Sequence, residues 1–351
     1  MDGTVMDVQV NEWVKYNDNT QVWYSADDNI LPVLKNEIAK QQDAVLYIVG
    51  IYDWVYNIKP LLFLKGVKKI ISVRGMLHPG ALTQKAFKKK AFLFLMKLWG
   101  WQRKVVFHVT DEGEREFVIK ELGIWNEELG IKVAGNFPNL FGALPLPEKE
   151  VGKLKLVSVG LISAMKNYLL VLEALRQAQG DIRYDIYGPV KDAGYWEECK
   201  AVIKTLPEHI VVNYHGAIEP LGIEAALAAS HVFILPSKSE NYGHSIIEAL
   251  SAGRPVITSN GTPWNELREA RAGINVDLAA GSGQLAVGSG ERAVDSRQLA
   301  VGSGQLAEAI SFFVNLPQVE LDEWSRGAVA YVNKVTDLNS IKQQYKTLFG
   351  L

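Results

Sequence analysis

The sequence predicts an α/β fold made of two domains, each with a parallel sheet covered by helices. With 351 residues, the chain is long enough for two domains of ordinary size. Its apolar fraction of 48% is typical of globular proteins and argues against a mainly disordered chain. From Gln21 onward, short apolar runs alternate with amphipathic stretches, which is the pattern of parallel strands joined by helices.

The composition excludes several classes of protein. The formal net charge of −2 gives no overall attraction to nucleic acid. Cys199 is the single cysteine, which excludes an internal disulfide and fits a reducing compartment. The most apolar run, 91–99, is too short to span a membrane and contains Lys97. The first residues are acidic where a signal peptide would be basic. We therefore expect a cytoplasmic protein that does not bind nucleic acid.

The first half of the chain predicts a series of strands and helices. The strands are expected at 21–25, 44–50, 69–73, 105–110 and 131–135, with helices at 31–40, 52–65, 81–104 and 112–122. A polar segment comes first, and no strand with a glycine-rich turn precedes residue 21. Either this domain lacks its first βα unit, or residues 4–14 form a hairpin at the edge of a small domain.

A proline-containing stretch at 136–151 predicts a linker between the domains. Beyond it, strands are expected at 155–160, 183–188, 210–215, 231–236, 255–259 and 274–278, with helices at 168–178, 195–206, 221–229 and 245–252. The chain from Gln305 to Leu351 reads as helical. The predicted domains are 1–145 and 151–335, and a final helix at about 336–351 could pack back on the first domain.

A heptapeptide repeat occupies residues 281–308. Its four copies read GSGQLAV, GSGERAV, DSRQLAV and GSGQLAE. The apolar positions are consecutive, and the Gly-Ser-Gly of most copies disfavours a helix. The repeat therefore predicts an expanded surface loop rather than a coiled coil.

The segment 233–267 contains the main candidate site. A buried strand ends at Pro236, a polar loop follows, and a helix begins near Gly243. Ligands of open α/β sheets bind at the carboxyl ends of strands, and a helix N-terminus there attracts an anion. Glu240 lies in the loop and Glu248 on the helix, where carboxylates can accept hydrogen bonds from sugar hydroxyls. Alternatively, Glu248 is an ordinary solvated helix residue.

This segment resembles the nucleotide-binding half of the retaining glycosyltransferases of family four. The family carries a pair of glutamates like Glu240 and Glu248, which have seven residues between them, and ENYGHSIIEALSAGRPVITS matches the surroundings. Three upstream segments, 159–167, 186–190 and 214–216, resemble its phosphate-binding and base-binding loops. The segment SVRGML, at 72–77, is similar to one in a bacterial subgroup that builds surface polysaccharides.

The resemblance implies a GT-B fold, with two Rossmann-like domains facing a cleft. It also implies transfer of a sugar, with retention of configuration, from a nucleotide-diphosphate sugar to a saccharide or lipid-linked acceptor. No cofactor and no metal are expected. Glu248 would hold the ribose, Glu240 the donor sugar and Lys166 the diphosphate. The other residues implied to line the nucleotide site are Gly160, Tyr187, Gly188, Gly216, Asn241, Tyr242, Gly243, His244 and Ser245.

One position departs from the family. Leu161 stands where the family usually has an arginine that grips the diphosphate. Arg74, which we count with Glu240 and Lys166 as a candidate catalytic residue, or Arg254 could supply the missing charge. Otherwise the chain binds its donor more weakly, or it is a non-catalytic binding protein derived from a transferase. Another GT-B enzyme, such as a nucleotide-sugar epimerase, is a further alternative.

The stretch 84–104 is basic, rich in aromatic residues and free of acidic ones. Such a helix can lie on an anionic membrane surface. It can equally pack its apolar side on the sheet and leave its lysines in water. The first possibility adds a location at the inner face of the membrane to the expected cytoplasmic one.

Overall fold

The computed structural model describes residues 8–78, 82, 86–98, 100–124, 130–278 and 296–351. The chain divides into two compact units. The N-terminal unit comprises Met1–Asn136 and Leu338–Leu351, and the C-terminal unit comprises Phe137–Asp337. Each unit contains a parallel sheet with helices, so the predicted α/β class is confirmed.

The N-terminal unit holds a four-stranded parallel sheet. Its strands, in spatial order, are β3 (Val45–Val49), β4 (Lys68–Ser72), β5 (Val106–Val109) and β6 (Ile131–Val133). Its helices are α1 (Leu31–Lys40), α2 (Lys59–Phe63), α3 (Ala86–Leu98), α4 (Glu112–Leu122) and the final helix of the chain (Leu338–Phe349). A π-helical turn at Trp54–Ile58 precedes α2, where one longer helix was predicted.

A separate hairpin corrects the prediction for the start of the chain. The expected parallel strand at 21–25 is β2 (Thr20–Trp23), which pairs antiparallel with β1 (Trp13–Asn17) and not with the four-stranded sheet. The turn between them is tightened by a bond from Asn19 N to Asn17 Oδ1 of 2.9 Å. The alternative hairpin over 4–14 begins outside the described residues, and the observed one starts later, at Trp13.

The final helix packs on the sheet of the N-terminal unit. Leu348 is buried with Ile70 and Ala134. Lys68 Nζ donates to Phe349 O over 3.0 Å and so caps the end of the helix. These contacts make the end of the chain part of this unit.

The opposite sides of α3 differ in burial. Leu93 and Met96 are buried in the core of the N-terminal unit. Phe87, Phe94 and Leu98 are exposed. One side of α3 therefore packs on the N-terminal unit, and a second apolar side of the helix is exposed. None of the described helices combines the length and the apolar character needed to cross a membrane.

The C-terminal unit holds a six-stranded parallel sheet of order β12-β11-β10-β7-β8-β9. The strands are β7 (Lys153–Val159), β8 (Asp181–Tyr187), β9 (Ile210–Tyr214), β10 (Val232–Leu235), β11 (Val256–Ser259) and β12 (Gly273–Val276). The helices are α5 (Tyr168–Gln177), α6 (Ala193–Ile203), α7 (Pro220–Ala228), α8 (His244–Ser251), α9 (Ser296–Asn315) and α10 (Gln318–Val335). Because β8 and β10 lie on opposite sides of β7, the strand order reverses there, which is where such sheets bind ligands.

The last copy of the heptapeptide repeat is helical throughout, which contradicts the predicted loop for the residues before 305. Residues 302–308 lie within α9, and Leu306 is fully buried. A Cβ on Gly302 would lie 3.3 Å from Leu170 Cδ1, and Gln177 Nε2 donates to Ser303 Oγ over 2.9 Å. The small residues thus let α9 approach α5 closely, and this packing offsets the low helix propensity of glycine. Residues 281–295 of the repeat lie outside the described part of the chain.

His231 is a fully buried histidine at the start of β10. Its Nδ1 accepts from Lys155 N over 2.9 Å, and its Nε2 donates to Glu148 O over 3.1 Å. These partners suit the neutral ring, since Nδ1 must be unprotonated to accept. Burial lowers the pKa of His231 to about 4.

His231 predicts a loss of stability in acid. Its pKa is about 4 in the folded chain against an ordinary 6.5, so as the pH falls through this interval the unfolded chain binds a proton first. Between about pH 7 and about pH 5 this costs about 2 kcal/mol of unfolding free energy. Denaturant unfolding at the two pH values should show this loss. His231→Asn, which keeps an acceptor for Lys155 N–H, should remove it. An unchanged pH dependence in that variant would contradict the assignment, and exposed His209→Asn is the control.

Candidate functional site

The predicted nucleotide-site residues gather at the carboxyl edge of the C-terminal sheet. They lie at the ends of β7, β8 and β9, in the loop after β10 and in the first turn of α8. Glu248, further along α8, and Lys166, in the loop after β7, belong to the same set. Arg74 alone belongs to the N-terminal unit, where it follows β4.

Three glycines continue the strand pairing past the strand ends. Gly160 N donates to Tyr187 O over 2.9 Å, and Gly188 N donates to Gly216 O over 2.6 Å. A Cβ on Gly188 would lie only 2.0 Å from Gly160 O. The backbone therefore forms a side-chain-free floor, close to which a ligand can approach.

A pair of stacked rings borders this floor. The rings of Tyr187 and His215 lie 4.5 Å apart and 12° from parallel. Asp185 Oδ1 accepts from His215 Nε2 over 2.7 Å and from Asn213 Nδ2 over 3.0 Å. Burial acts to raise the pKa of Asp185, but hydrogen bonds from Arg183, His215 and Asn213 outweigh it and lower the pKa. The ionised carboxylate thus fixes the His215 ring.

Sequence reasoning did not select Asp185 as a site residue. The available signal was strand alternation, which places residues 183, 185 and 187 on one face of β8.

The start of α8 is shaped by Gly243 and by an aromatic neighbour. Gly243 has φ +75° and offers no side chain to cap the helix. Trp264 Nε1 donates to Tyr242 O over 2.5 Å, and a Cβ on Gly243 would come within 3.1 Å of the same nitrogen. His244 and Ser245 form the first turn, as predicted from sequence, and the positive end of the helix dipole lies there.

Lys166 and Glu240, which are far apart in sequence, form an ion pair in the structure. Lys166 Nζ bonds Glu240 Oε1, and the two side chains are only 20% and 13% exposed. Their loops are also joined by a backbone bond from Lys238 N to Met165 O over 2.8 Å, and a bond from Glu240 N to Gly261 O over 3.0 Å ties the Glu240 loop to the loop after β11. Two charges held at low exposure interact more strongly than a surface pair.

Glu248 is half-buried rather than a solvated surface residue. Burial raises the pKa of its carboxyl group, and a hydrogen bond from Asn139 acts in the opposite direction. Asn139 belongs to the stretch that the sequence predicted as a linker, so its contact with the site was not expected.

The structure shows where Leu161 lies and which of the two arginines suggested to replace the family's arginine is exposed. Leu161 is 43% exposed at the edge of the site. Arg254 is fully buried, and it donates to Leu227 O over 2.7 Å and to Pro145 O over 2.6 Å. The suggestion that Arg254 replaces the arginine is therefore wrong, because backbone carbonyls inside the unit hold its guanidinium. Arg74 is exposed and remains a candidate cation.

Within the described residues, no group of three or more His, Cys, Asp or Glu side chains could hold a metal ion.

Residues 146–271 match the family of glycosyl transferases group 1. The match covers much of the C-terminal unit and includes Lys166, Glu240 and Glu248. Over these residues the C-terminal unit is similar to group 1 glycosyl transferases. A comparison with curated protein sequences finds no match.

Several solved structures share the fold of the whole chain. Sucrose-phosphate synthase from Thermosynechococcus elongatus aligns with a TM-score of 0.63 at 17% identity, over 96% of this chain and 86% of that one. HepE from Anabaena, in complex with UDP and glucose, aligns with a TM-score of 0.60 at 17% identity, over 91% and 82%. TarM of S. aureus aligns with a TM-score of 0.56 at 15% identity, over 82% of this chain and 52% of that one.

The chain thus spans about half the length of TarM. At these identities the likeness concerns the fold alone. It confirms the GT-B class, with two Rossmann-like domains.

The glycine floor predicts a graded response to added methyl groups. Gly188 and Gly216 both have positive φ, but a Cβ would collide with Gly160 O at Gly188 and would meet open space at Gly216. Gly188→Ala should therefore lower the unfolding free energy by about 3 kcal/mol, and Gly216→Ala by about 1 kcal/mol. Thermal unfolding of the two variants measures the difference, and equal shifts would contradict the predicted close approach.

Proposed function

We propose that the chain is a retaining glycosyltransferase. It would move a sugar from a nucleotide-diphosphate sugar to a saccharide or lipid-linked acceptor in cell-surface polysaccharide biosynthesis. The observation that carries this proposal is the Lys166–Glu240 ion pair at the carboxyl edge of a sheet whose sequence is of the glycosyl transferase group 1 type. The UDP and glucose bound to HepE, a protein of the same fold, support a nucleotide sugar as the donor.

Each charged group of the site suits one part of such a donor. The Lys166 ammonium and the start of α8 can stabilise negative charge on the diphosphate, both when the donor binds and when the nucleotide leaves. The Glu248 carboxylate can accept hydrogen bonds from both ribose hydroxyls, and Glu240 from hydroxyls of the sugar. This chemistry requires no metal, which remains a prediction.

The ion pair couples recognition of the two halves of the donor. In the structure, Glu240 neutralises Lys166. A bound diphosphate would draw the ammonium towards itself and so release the carboxylate for the sugar hydroxyls. Retention then follows if the leaving phosphate accepts the proton of the acceptor hydroxyl on the same face of the sugar, which needs no protein nucleophile.

Incubation with UDP-, GDP- and ADP-sugars tests the proposal. We expect nucleotide release in the presence of an acceptor, a product with the anomeric configuration of the donor by NMR, and no effect of EDTA. Glu248→Ala and Lys166→Met should each weaken donor binding by about tenfold or more. The exposed residues Glu224 and Lys204, replaced in the same way, are the matched controls.

Three results of this experiment would contradict the proposal. Binding without nucleotide release would favour the non-catalytic binding protein, for which the exposed Leu161 is the supporting observation. An isomerised nucleotide sugar formed without acceptor would favour an epimerase. A product of inverted configuration would exclude the retaining reaction.

The ion pair predicts that Glu240→Gln strengthens binding of the nucleotide part of the donor and weakens binding of its sugar part. Glu240→Gln removes the charge that competes for Lys166, so a nucleoside diphosphate should bind about threefold more tightly, while the gain from an attached sugar should fall. Calorimetric titration with both ligands measures the two affinities. The tightening should disappear in the Lys166→Met/Glu240→Gln double variant, and its persistence there would show that Lys166 is not the cause.

We also propose that α3 contacts the membrane that carries a lipid-linked acceptor. Phe87, Phe94 and Leu98 recur at spacings of seven and four, so they form one exposed stripe of the helix. Lys88 flanks this stripe on one side and Lys90 on the other, and both are exposed. An apolar stripe between lysines suits the boundary between acyl chains and anionic headgroups.

Co-sedimentation with vesicles tests the membrane contact. The protein should bind vesicles of phosphatidylglycerol and phosphatidylcholine better than vesicles of phosphatidylcholine alone. Replacing Lys88, Lys89 and Lys90 by glutamate should abolish the difference. The same replacement at Lys191, Lys200 and Lys204 of the C-terminal unit changes the net charge equally and should leave binding intact. Equal losses of vesicle binding in the two triple variants would show that overall charge, and not α3, causes the binding.

A further inference from the structure

The turn after β4 carries an unusual backbone. Arg74 has φ +51°, and Gly75, which follows it, has φ +71°. A side chain in the left-handed region costs roughly 1 kcal/mol, and such strain is found where the surrounding structure requires it. Here the strain places an arginine directly beyond the carboxyl end of a parallel strand.

A buried carboxylate holds this turn in place. Glu114, on the first turn of α4, is 6% exposed. Its Oε1 accepts from Gly75 N, and its Oε2 accepts from Thr110 N over 2.7 Å and from Thr110 Oγ1 over 3.0 Å. A buried carboxylate is tolerated when its oxygens receive such bonds. Glu114 thus accepts hydrogen bonds from neutral donors on both sides, and these bonds fix the turn relative to the end of β5.

Neutral groups hold the Arg74 guanidinium. One of its nitrogens, Nη1, donates to Asn136 Oδ1 over 2.5 Å. A second hydrogen bond joins the guanidinium to the Tyr345 hydroxyl on the final helix. Among the described residues of the chain, no carboxylate lies within ion-pair distance of Arg74. The guanidinium is therefore oriented and exposed, and it has no ion-pair partner among these residues.

A neutral histidine, His108, lies near the guanidinium. His108 is fully buried, with Nε2 donating to Ala134 O over 2.9 Å and Nδ1 accepting from the Tyr47 hydroxyl over 2.6 Å. Burial lowers the pKa of His108, and the charge of Arg74 adds to the lowering, while the bond to Ala134 and the charge of Glu114 oppose it. The imidazole is thus neutral, and Arg74 provides the positive charge of this surface.

We propose that the N-terminal unit binds a phosphoryl oxyanion at Arg74, with Asn136 and Tyr345 orienting the guanidinium and Glu114 acting as the positioning residue of the turn. Two phosphoryl oxygens can bond a guanidinium in bidentate fashion, which a flexible lysine could not reproduce. The diphosphate of a nucleotide donor and that of a lipid-linked acceptor present the same chemistry. The proposal goes beyond the donor site of the C-terminal unit and does not require sugar transfer.

Protection of Arg74 from phenylglyoxal tests the site in the full chain. The rate of modification at Arg74 is followed by mass spectrometry, with exposed Arg103 as the internal control. Inorganic pyrophosphate should slow modification of Arg74 by about fivefold or more and leave Arg103 unchanged. UDP and geranyl diphosphate as separate additions distinguish the nucleotide from the lipid-linked source. No protection by any of the three would overturn the site, whether or not the protein transfers sugar.

The role of Glu114 is tested by Glu114→Gln, whose amide can accept from Gly75 N–H but not from Thr110 as well. The pyrophosphate concentration for half protection should rise by about tenfold. Glu112→Gln, an exposed position on the same turn of α4, should leave it unchanged. If Glu114→Gln does not fold, Thr110→Val removes one bond to the carboxylate and should raise the concentration by about threefold. Unchanged protection in the folded variants would refute the positioning role.

Discussion

Parallel pairing of β7 with both β8 and β10 is the constraint on which the candidate site depends. It brings the loops after these strands to one edge and so joins residues that are far apart in sequence. Lys166 and Glu240 meet for this reason. The pairing continues through Gly160 and Gly188 beyond the strands, which keeps the floor of the site flat and free of side chains.

Local pattern predicted much of the fold, and packing over distance decided the rest. The C-terminal strands and the start of α8 followed from alternating apolar runs and from a glycine at a strand-to-helix turn. The strand expected at 21–25 was assigned to the parallel sheet, and a hairpin was considered only over 4–14, because the turn signal at Asn17 and Asn19 lies directly beside an apolar run that also suits a parallel strand. The helical last repeat was missed because glycine counts against a helix in isolation, whereas here Gly302 is needed for contact with α5.

Some residues of the candidate site were predictable from sequence motifs, and others were not. The glutamates and Lys166 belong to contiguous motifs, so the sequence could point to them. Asn139 contacts Glu248 from the stretch read as a linker. That stretch is not a free connector, since Arg254 donates to Pro145 O and Ser251 Oγ accepts from Phe141 N. Such partners depend on the three-dimensional path of the backbone, which periodicity does not describe.

The helical repeat also bears on how the gene can change. Seven residues make almost two full turns of an α-helix, so a gained or lost copy rotates the preceding residues by only about 20°. The first copy, at 281–287, has the same residues as 302–308 except at the last position. A change in copy number would therefore present nearly the same small and apolar side chains to α5. A gained or lost copy should therefore preserve the packing of α9 on α5.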